Sequence, residues 1–259
     1  MFYAIILLAM FFGLFGKNRY TEPQKLCFTT DIHCHILPGI DDGAKDTAVS
    51  VSLVETMQQW GIKNIIATPH VTEETFENTP QTIAAAYGEL GKALSENGMD
   101  IPVSYSAEYR MDGKFGEILK NDGYILMPGR HLLIENSFVQ PAFDLKNIIF
   151  ELQLKDIRPV LAHPERYSYY QRKRKVYTEL IEAGCEFQVN ILSLSGYYGE
   201  AEKETALWLI DRGYVSFLGT DLHHFGHIES INRFLCTKEY TDIADRLAPV
   251  LKNDTLAAL

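Results

Sequence analysis

The stretch Pro159-Val-Leu-Ala162-His163-Pro-Glu165-Arg166 decides how the rest of the chain is read. A short run suited to a buried strand stops at a histidine, an acid and a base. The same succession recurs along the 259 residues. β-rich runs at Cys27–Ile32, Asn64–Thr68, Val103–Ala107, His131–Ile134, Glu186–Asn190 and Val215–Gly219 each end in polar residues. The first run ends in Asp31-Ile-His33-Cys-His35 and the second in Thr68-Pro-His70. The others end at Glu108, at Glu135, at Asn190 and in Thr220-Asp221-Leu-His223.

Between these runs the apolar residues return with helical period. Thr47–Trp60 places Val51, Val54 and Met57 on one face, and Thr79–Asn97 groups Ile83, Tyr87, Leu90 and Leu94. Asp144–Lys155, Lys175–Ala183 and Glu200–Arg212 repeat the pattern, and Ile228–Leu235 and Tyr240–Val250 read as terminal helices. Gly61, Gly98, Gly184 and Gly213 follow helical runs as cap glycines do, and Thr79-Pro80 is a good helix start. Alternating strand and helix implies parallel strands joined by right-handed crossovers. Seven such units predict an α/β fold closed, or nearly closed, into a (β/α) barrel. With no Pro/Gly/Ser-rich linker and no internal repeat, residues 27–259 read as one domain. In such barrels the site lies at the C-terminal strand ends, and six of the seven bring a His, Asp or Glu there.

Composition narrows the function. The chain carries 24 Lys+Arg against 34 Asp+Glu, a net charge of −10. That balance argues against nucleic acid as a partner, because phosphate backbones are bound by clustered cations. Cys27, Cys34, Cys185 and Cys236 form no CxxC pair and read as reduced thiols of a cytoplasmic protein. Residues 1–26 are set apart as a leader. Met1 to Gly16 has no charged side chain and is followed by Lys17 and Arg19. It is shorter than the roughly 20 apolar residues of a spanning helix, and it lacks the marks of a secretory signal. Three readings stand: membrane contact at the inner face through residues 1–16, packing on the protein's own surface, or a true start at Met10.

The strand-end residues suggest metal chemistry. In an extended segment, residues i and i+2 point to one side, so His33 and His35 can grip one ion. Taken alone, that pair reads as two polar residues at a strand end, and His70 alone as a satisfied loop histidine. Four histidines, two glutamates and Asp221 at aligned strand ends would crowd charge into one pocket that needs cations. Mixed imidazole and carboxylate donors suit divalent ions such as Zn, Mn or Fe. Rival signatures fail. Cysteine phosphatases need an Arg six residues after the Cys, and those positions hold His33, Ile40, Ile191 and Asp242. No Gly-x-Ser-x-Gly elbow, phosphate loop or dinucleotide fingerprint is present.

His33-Cys-His35, Asp41-Asp42-Gly43, Thr68-Pro-His70, Ala107-Glu108, Ile134-Glu135, His163-Pro-Glu-Arg166 and Asp221-Leu-His223 resemble the PHP (polymerase and histidinol phosphatase) superfamily. His35-Ile-Leu-Pro-Gly-Ile-Asp-Asp-Gly-Ala-Lys45 and Ala162-His-Pro-Glu-Arg-Tyr167 look more narrowly like its bacterial capsule and exopolysaccharide tyrosine phosphatases. The resemblance implies a distorted (β/α)7 TIM-like barrel with three divalent metals, Mn foremost, with Fe, Zn, Co or Mg as rivals. Carried over by position, His33, His35, Glu108 and Asp221 hold the first ion. Glu108, Glu135 and His163 hold the second, with Glu108 bridging. Asp42, His70 and His223 hold the third, Asp42 being chosen over Asp41 because it stands just before Gly43.

The implied nucleophile is a metal-bound hydroxide, with Arg166 neutralising the phosphoryl oxygens; the plainer reading of Arg166 is a salt-bridge partner of Glu165. Arg172-Lys-Arg174-Lys175 is the one dense basic run, either a solvated helix start or a dock for an acidic or phosphorylated tail. Tyr167, Tyr169, Tyr170, Tyr197 and Tyr198 either flank a phosphotyrosine ring or pack the rim. The expected activity is a metal-dependent protein-tyrosine phosphatase acting on a tyrosine autokinase of capsule or exopolysaccharide synthesis. The rivals are a histidinol-phosphatase-like phosphomonoesterase, a nuclease and a silent metal-stabilised scaffold.

Overall fold

A computed structural model describes residues 20–257. Among the described residues nine strands, all pairing in parallel, form two sheets. β1 (Thr30–Asp31), β2 (Asn64–Ala67) and β4 (Val103–Tyr105) make the smaller, in the order β1-β2-β4. The larger, in the order β3-β5-β6-β7-β8-β9, holds β3 (His70–Val71), β5 (Glu108–Arg110), β6 (His131–Glu135), β7 (Arg158–Ala162), β8 (Glu186–Asn190) and β9 (Val215–Gly219).

The second and third expected strands are therefore each broken in two. Thr68-Pro69 separates β2 from β3, and Ser106-Ala107 separates β4 from β5. Proline has no N–H to give to a ladder, and the pairing steps across the breaks through Ser106 N to Ala67 O (2.9 Å) and Glu108 N to Pro69 O (3.0 Å). Past β1 and β9 the chain pairs once more. A parallel bridge joins Cys34 and Leu222, with Asp221 N donating to His33 O at 2.8 Å and His35 N to Leu222 O at 3.0 Å.

Side chains alternate across the strands. Leu132, Ile134, Leu161 and Leu218 join the large core shared with the helices. Leu133, Val160, Ala162 and Phe217 face the other way, into a separate cluster with Ile32, Ile66, Met127 and Leu256. The helices follow the sequence pattern closely, at Thr47–Gln59, Pro80–Glu96, Leu145–Leu154, Lys175–Glu182, Glu200–Asp211, Phe225–Leu235 and Lys238–Leu247. Thr79 caps the second of these by accepting from Thr82 N. Gly61, Gly98, Gly184 and Gly213 all have left-handed φ, the conformation glycine adopts without a Cβ penalty.

The leader boundary moves. Tyr20 N and Gln24 N donate to Cys236 O and Leu235 O, and Leu26 N donates to Trp60 O. Residues 20–26 are thus tied to the body, and the apolar run at 1–16 lies outside the described residues. No helix among the described residues is long and apolar enough to cross a membrane.

Candidate metal centre

The strand ends converge as their order implies. His33 and His35 follow β1, His70 opens β3, Glu108 opens β5, Glu135 closes β6, His163 follows β7, and Asp221 and His223 follow β9. Two glycines let these segments close up. A Cβ on Gly219 would stand 2.8 Å from His33 Cβ, and one on Gly43 would stand 2.1 Å from His35 O. His163 and Asp221 both have left-handed φ, 31° and 49°. Such backbone in non-glycine residues persists only where the surroundings enforce it, commonly at functional sites.

The geometry turns lone pairs toward one another. His33 Nδ1–H donates to Gln188 Oε1 at 2.7 Å, and His35 Nδ1–H donates to Asp41 Oδ2 at 2.8 Å. Each ring's Nε2 is thereby left to face the neighbouring carboxylates, as an acceptor whenever the ring is neutral. Those two Nε2 atoms lie 3.3 Å apart. Asp221 Oδ1 is 3.4 Å from the first and 3.3 Å from the second, and Glu108 Oε2 is 3.3 and 3.6 Å away. Four acceptors facing one point repel one another unless a cation or a proton stands among them. Glu108 Oε2, His70 Nδ1 and His163 Nδ1 are buried without hydrogen-bond partners. This donor set fits divalent cations.

All nine expected ligands fall into one connected cluster. One atom from each of His35, Asp42, His70 and His223 lies within 4.8 Å of the others. The same holds for His33/His35/Glu108, for His33/His163/Asp221 and for His70/Glu108/Glu135. His163 Nε2 is 2.9 Å from Glu108 Oε1 and 3.8 Å from Glu135 Oε1. The grouping thus differs from the sequence expectation in three ways: His35 also faces the Asp42 group, His163 also stands with His33 and Asp221, and His70 competes with His163 for the two glutamates. Asp42 is 57% exposed and stands 3.6 Å from His70 Nε2 and 3.5 Å from His223 Nε2. The Asp41 side chain is buried and orients His35, so the two neighbouring acids divide the work.

Electrostatics tell the same story. Burial would lower the His33 imidazole, yet Glu108 and Asp221 beside it hold it up at about 10. Burial and then Glu108 push Glu135 up to about 7, while burial and then Arg166 bring His163 down to about 4. Burial would raise Glu108, but His33 and His70 keep it well below the carboxylate range. The cluster draws a positive charge to His33, where the first ion is expected.

Several sequence readings are corrected. Arg166 pairs with Asp221 rather than Glu165: its Nη1 donates to Asp221 Oδ2 at 2.8 Å. Glu165 is buried and accepts from Asn190 N at 2.9 Å and Ser193 Oγ at 2.7 Å. Tyr167 cannot flank a substrate, because it is wholly buried. Its OH donates to Ala162 O at 2.9 Å and accepts from Asn136 N at 3.0 Å. Arg172 and Arg174 do not line the cleft; Arg174 lies over the Trp208 ring at 5.1 Å. Gln188, Arg110 and Phe138 were missed. Gln188 and Arg110 each stand two residues from a singled-out position on the same strand, a signal that side-chain alternation carries. Arg110 Nη2 sits 2.8 Å from Glu135 Oε2. Phe138, an apolar loop residue, carried no signal. The cysteines are free. Burial drives Cys185 up to about 12 and Cys27 to about 11, which makes them poor nucleophiles.

The cluster floors a cavity of about 340 Å³, and fold and site together define a parallel α/β protein with candidate metal sites at its strand ends. Residues 29–246 match the family described as capsular polysaccharide synthesis, CpsB/CapC, and the chain belongs to that family. Tyrosine-protein phosphatase YwqE of Bacillus subtilis is 33% identical over 195 residues, 75% of this chain and 77% of that protein. Tyrosine-protein phosphatase CpsB of Streptococcus pneumoniae is 29% identical over 201 residues, 75% and 82%. A solved structure described as "Crystal structures of YwqE from Bacillus subtilis and CpsB from Streptococcus pneumoniae, unique metal-dependent tyrosine phosphatases" has a TM-score of 0.75 at 30% identity. The match covers 88% of this chain and 90% of the other. An amidohydrolase from Mycoplasma synoviae, 12% identical with a TM-score of 0.54 over 88% and 87%, shares the fold alone.

Proposed function

We propose that the protein is a metal-dependent phosphotyrosine phosphatase, acting on a tyrosine autokinase of capsule or exopolysaccharide synthesis. The observation that carries this reading is the set of lone pairs from His33, His35, Glu108 and Asp221 facing one point. Family membership and the tyrosine phosphatases named among the relatives support the substrate class. We place three divalent ions, Mn foremost, among His33/His35/Glu108/Asp221, Glu108/Glu135/His163 and Asp42/His70/His223. We also read the two sheets as one distorted (β/α)7 barrel of the PHP type. The Cys34–Leu222 bridge and the separate inward-facing apolar cluster support that closure.

When bound, the ions supply Lewis acidity toward phosphoryl oxygens and a water nucleophile activated at neutral pH. The chain's own residues do the rest. Gln188 and Asp41 fix the two imidazoles with Nε2 turned inward, as partners beyond the ligands do at metal sites. Arg166 brings a planar guanidinium to the cleft, where it can meet two phosphoryl oxygens as charge builds toward the transition state. The tyrosyl leaving group, with a pKa near 10, asks little of a general acid. Turnover of a phosphotyrosine peptide should exceed that of histidinol phosphate. The reverse order would favour a small-molecule phosphomonoesterase on the same site.

A further inference from the structure

We infer that Phe138 is the aryl wall of the cleft, the surface against which the tyrosyl ring of the substrate lies. The inference rests on the phosphotyrosine reading above and deepens it. The cavity is lined chiefly by His, Asp, Glu and Arg, groups suited to a phosphate and its counter-charges. Three phenyl or phenol rings line it: Phe76, Phe138 and Tyr198. Tyr198 is covered by the Arg166 guanidinium at 3.9 Å, and its OH donates to Asp221 Oδ2 at 3.4 Å. Phe76 is only partly exposed and stacks on His70 at 5.6 Å. Phe138 is 40% exposed, an apolar surface left open inside a polar cleft.

Its place relative to the phosphate machinery is specific. The ring stacks on His163 with centroids 5.6 Å apart and planes at 19°, and Arg166 Cζ lies 4.7 Å from its centroid. A phosphoryl group reaching Arg166 therefore brings its ester oxygen, and the ring beyond it, alongside Phe138. The loop that carries this ring is pinned at three points. Asn136 N donates to Tyr167 OH, Tyr169 OH donates to Ser137 O at 2.8 Å, and Ala142 N donates to Asn136 Oδ1 at 3.0 Å. The tyrosines after β7 thus support the aryl wall from behind. Offset or edge-to-face contact between aromatic rings adds to the gain from burial alone.

The test compares phosphotyrosine peptide with acetyl phosphate, a reactive non-aromatic phosphate, in the metal-loaded enzyme. Phe138→Ala should lower kcat/KM on phosphotyrosine by about tenfold, chiefly through KM. Acetyl phosphate turnover should fall less than that, so that the preference for the aromatic substrate drops, and metal content should stay unchanged. Phe138→Trp should keep most of the preference for the aromatic substrate, which guards against a folding defect in the alanine variant. An equal fall on both substrates would make Phe138 a water shield for His163 and Arg166 and overturn the inference. So would no fall on phosphotyrosine. Failure of the wild-type enzyme on phosphotyrosine, with acetyl phosphate still hydrolysed, would instead sink the substrate reading on which the inference depends.

Discussion

The two ends of the parallel strands both bury histidine beside carboxylate, and they differ in where the balancing charge comes from. At the N-terminal ends, His131 opens β6 and Glu186 opens β8. His131 Nδ1–H donates to Pro128 O at 2.9 Å, and its Nε2 is 3.0 Å from Glu186 Oε2. Glu186 also pairs with Lys252, and Asp254 Oδ1 accepts from Thr29 N and Thr30 N, both at 2.8 Å. Both of these acids meet a lysine, an imidazole or backbone N–H groups supplied by the chain. At the C-terminal ends the acids outnumber the fixed cations, and imidazole acceptors face carboxylates across a shared point. Burial of a His–acid pair is therefore not what marks a site. The mark is a charge that the chain leaves for something else to provide.

The sharpest way to break this contrast is to empty the C-terminal end. Removing metal with a chelator should abolish phosphotyrosine hydrolysis, and Mn should restore it, because the water nucleophile depends on the ion. Glu108→Gln should do the same irreversibly and lower bound metal as measured by elemental analysis. Full turnover with metal shown to be gone would refute the mechanism.

Arg166→Ala should lower kcat/KM by about 10²–10³, the loss expected for one preorganised donor, with metal content unchanged. Arg166→Lys should recover part of it, since lysine keeps the charge without the planar fork. Wild-type kcat/KM in the alanine variant would leave Arg166 as no more than the partner of Asp221.

Gln188→Ala tests the support behind His33. Loss of the Nδ1 acceptor frees the ring to turn, and metal affinity or rate should fall about 10–100-fold. An unchanged metal titration would mean that the tautomer is held by something other than Gln188.

At the opposite end, Glu186→Gln should leave kcat/KM untouched and act on stability alone. Burial works against the Glu186 carboxylate, but His131 and Lys252 hold it at about 2, below its ordinary 4.5. A folded pKa below the unfolded one contributes stability that is fully present above about 4.5 and is lost as pH falls toward about 2. Denaturation midpoints of wild type and variant should thus differ by a constant amount near neutrality and converge below pH 4.5. Parallel curves down to pH 2 would contradict the pairing. The smallest effect is expected from replacing all four cysteines with serine, which should leave turnover nearly intact in the folded variant. A collapse of kcat there would point to a thiol nucleophile.

Much of this was legible in the chain itself. The placement of polar residues at the close of β-rich runs, the helical period between runs, and glycines at Gly61, Gly98, Gly184 and Gly213 are local signals, because side-chain period and backbone φ act over a few residues. The nine residues of the cluster could be named from them and from the family resemblance. Which atoms face which could not. Whether His70 or His163 stands nearer Glu135, why Asp41 serves His35 while Asp42 faces His223, and that Arg166 reaches Asp221 all depend on strand register and on loops meeting across the sheet order. Tyr167 and Phe138 show the limit most plainly: both lie in loops at the site, and only tertiary packing buries the first at 0% exposure and leaves the second open at 40%. Periodicity cannot separate two aromatic loop residues, since neither belongs to a repeating face; the partners that enclose one and not the other come from distant segments of the chain.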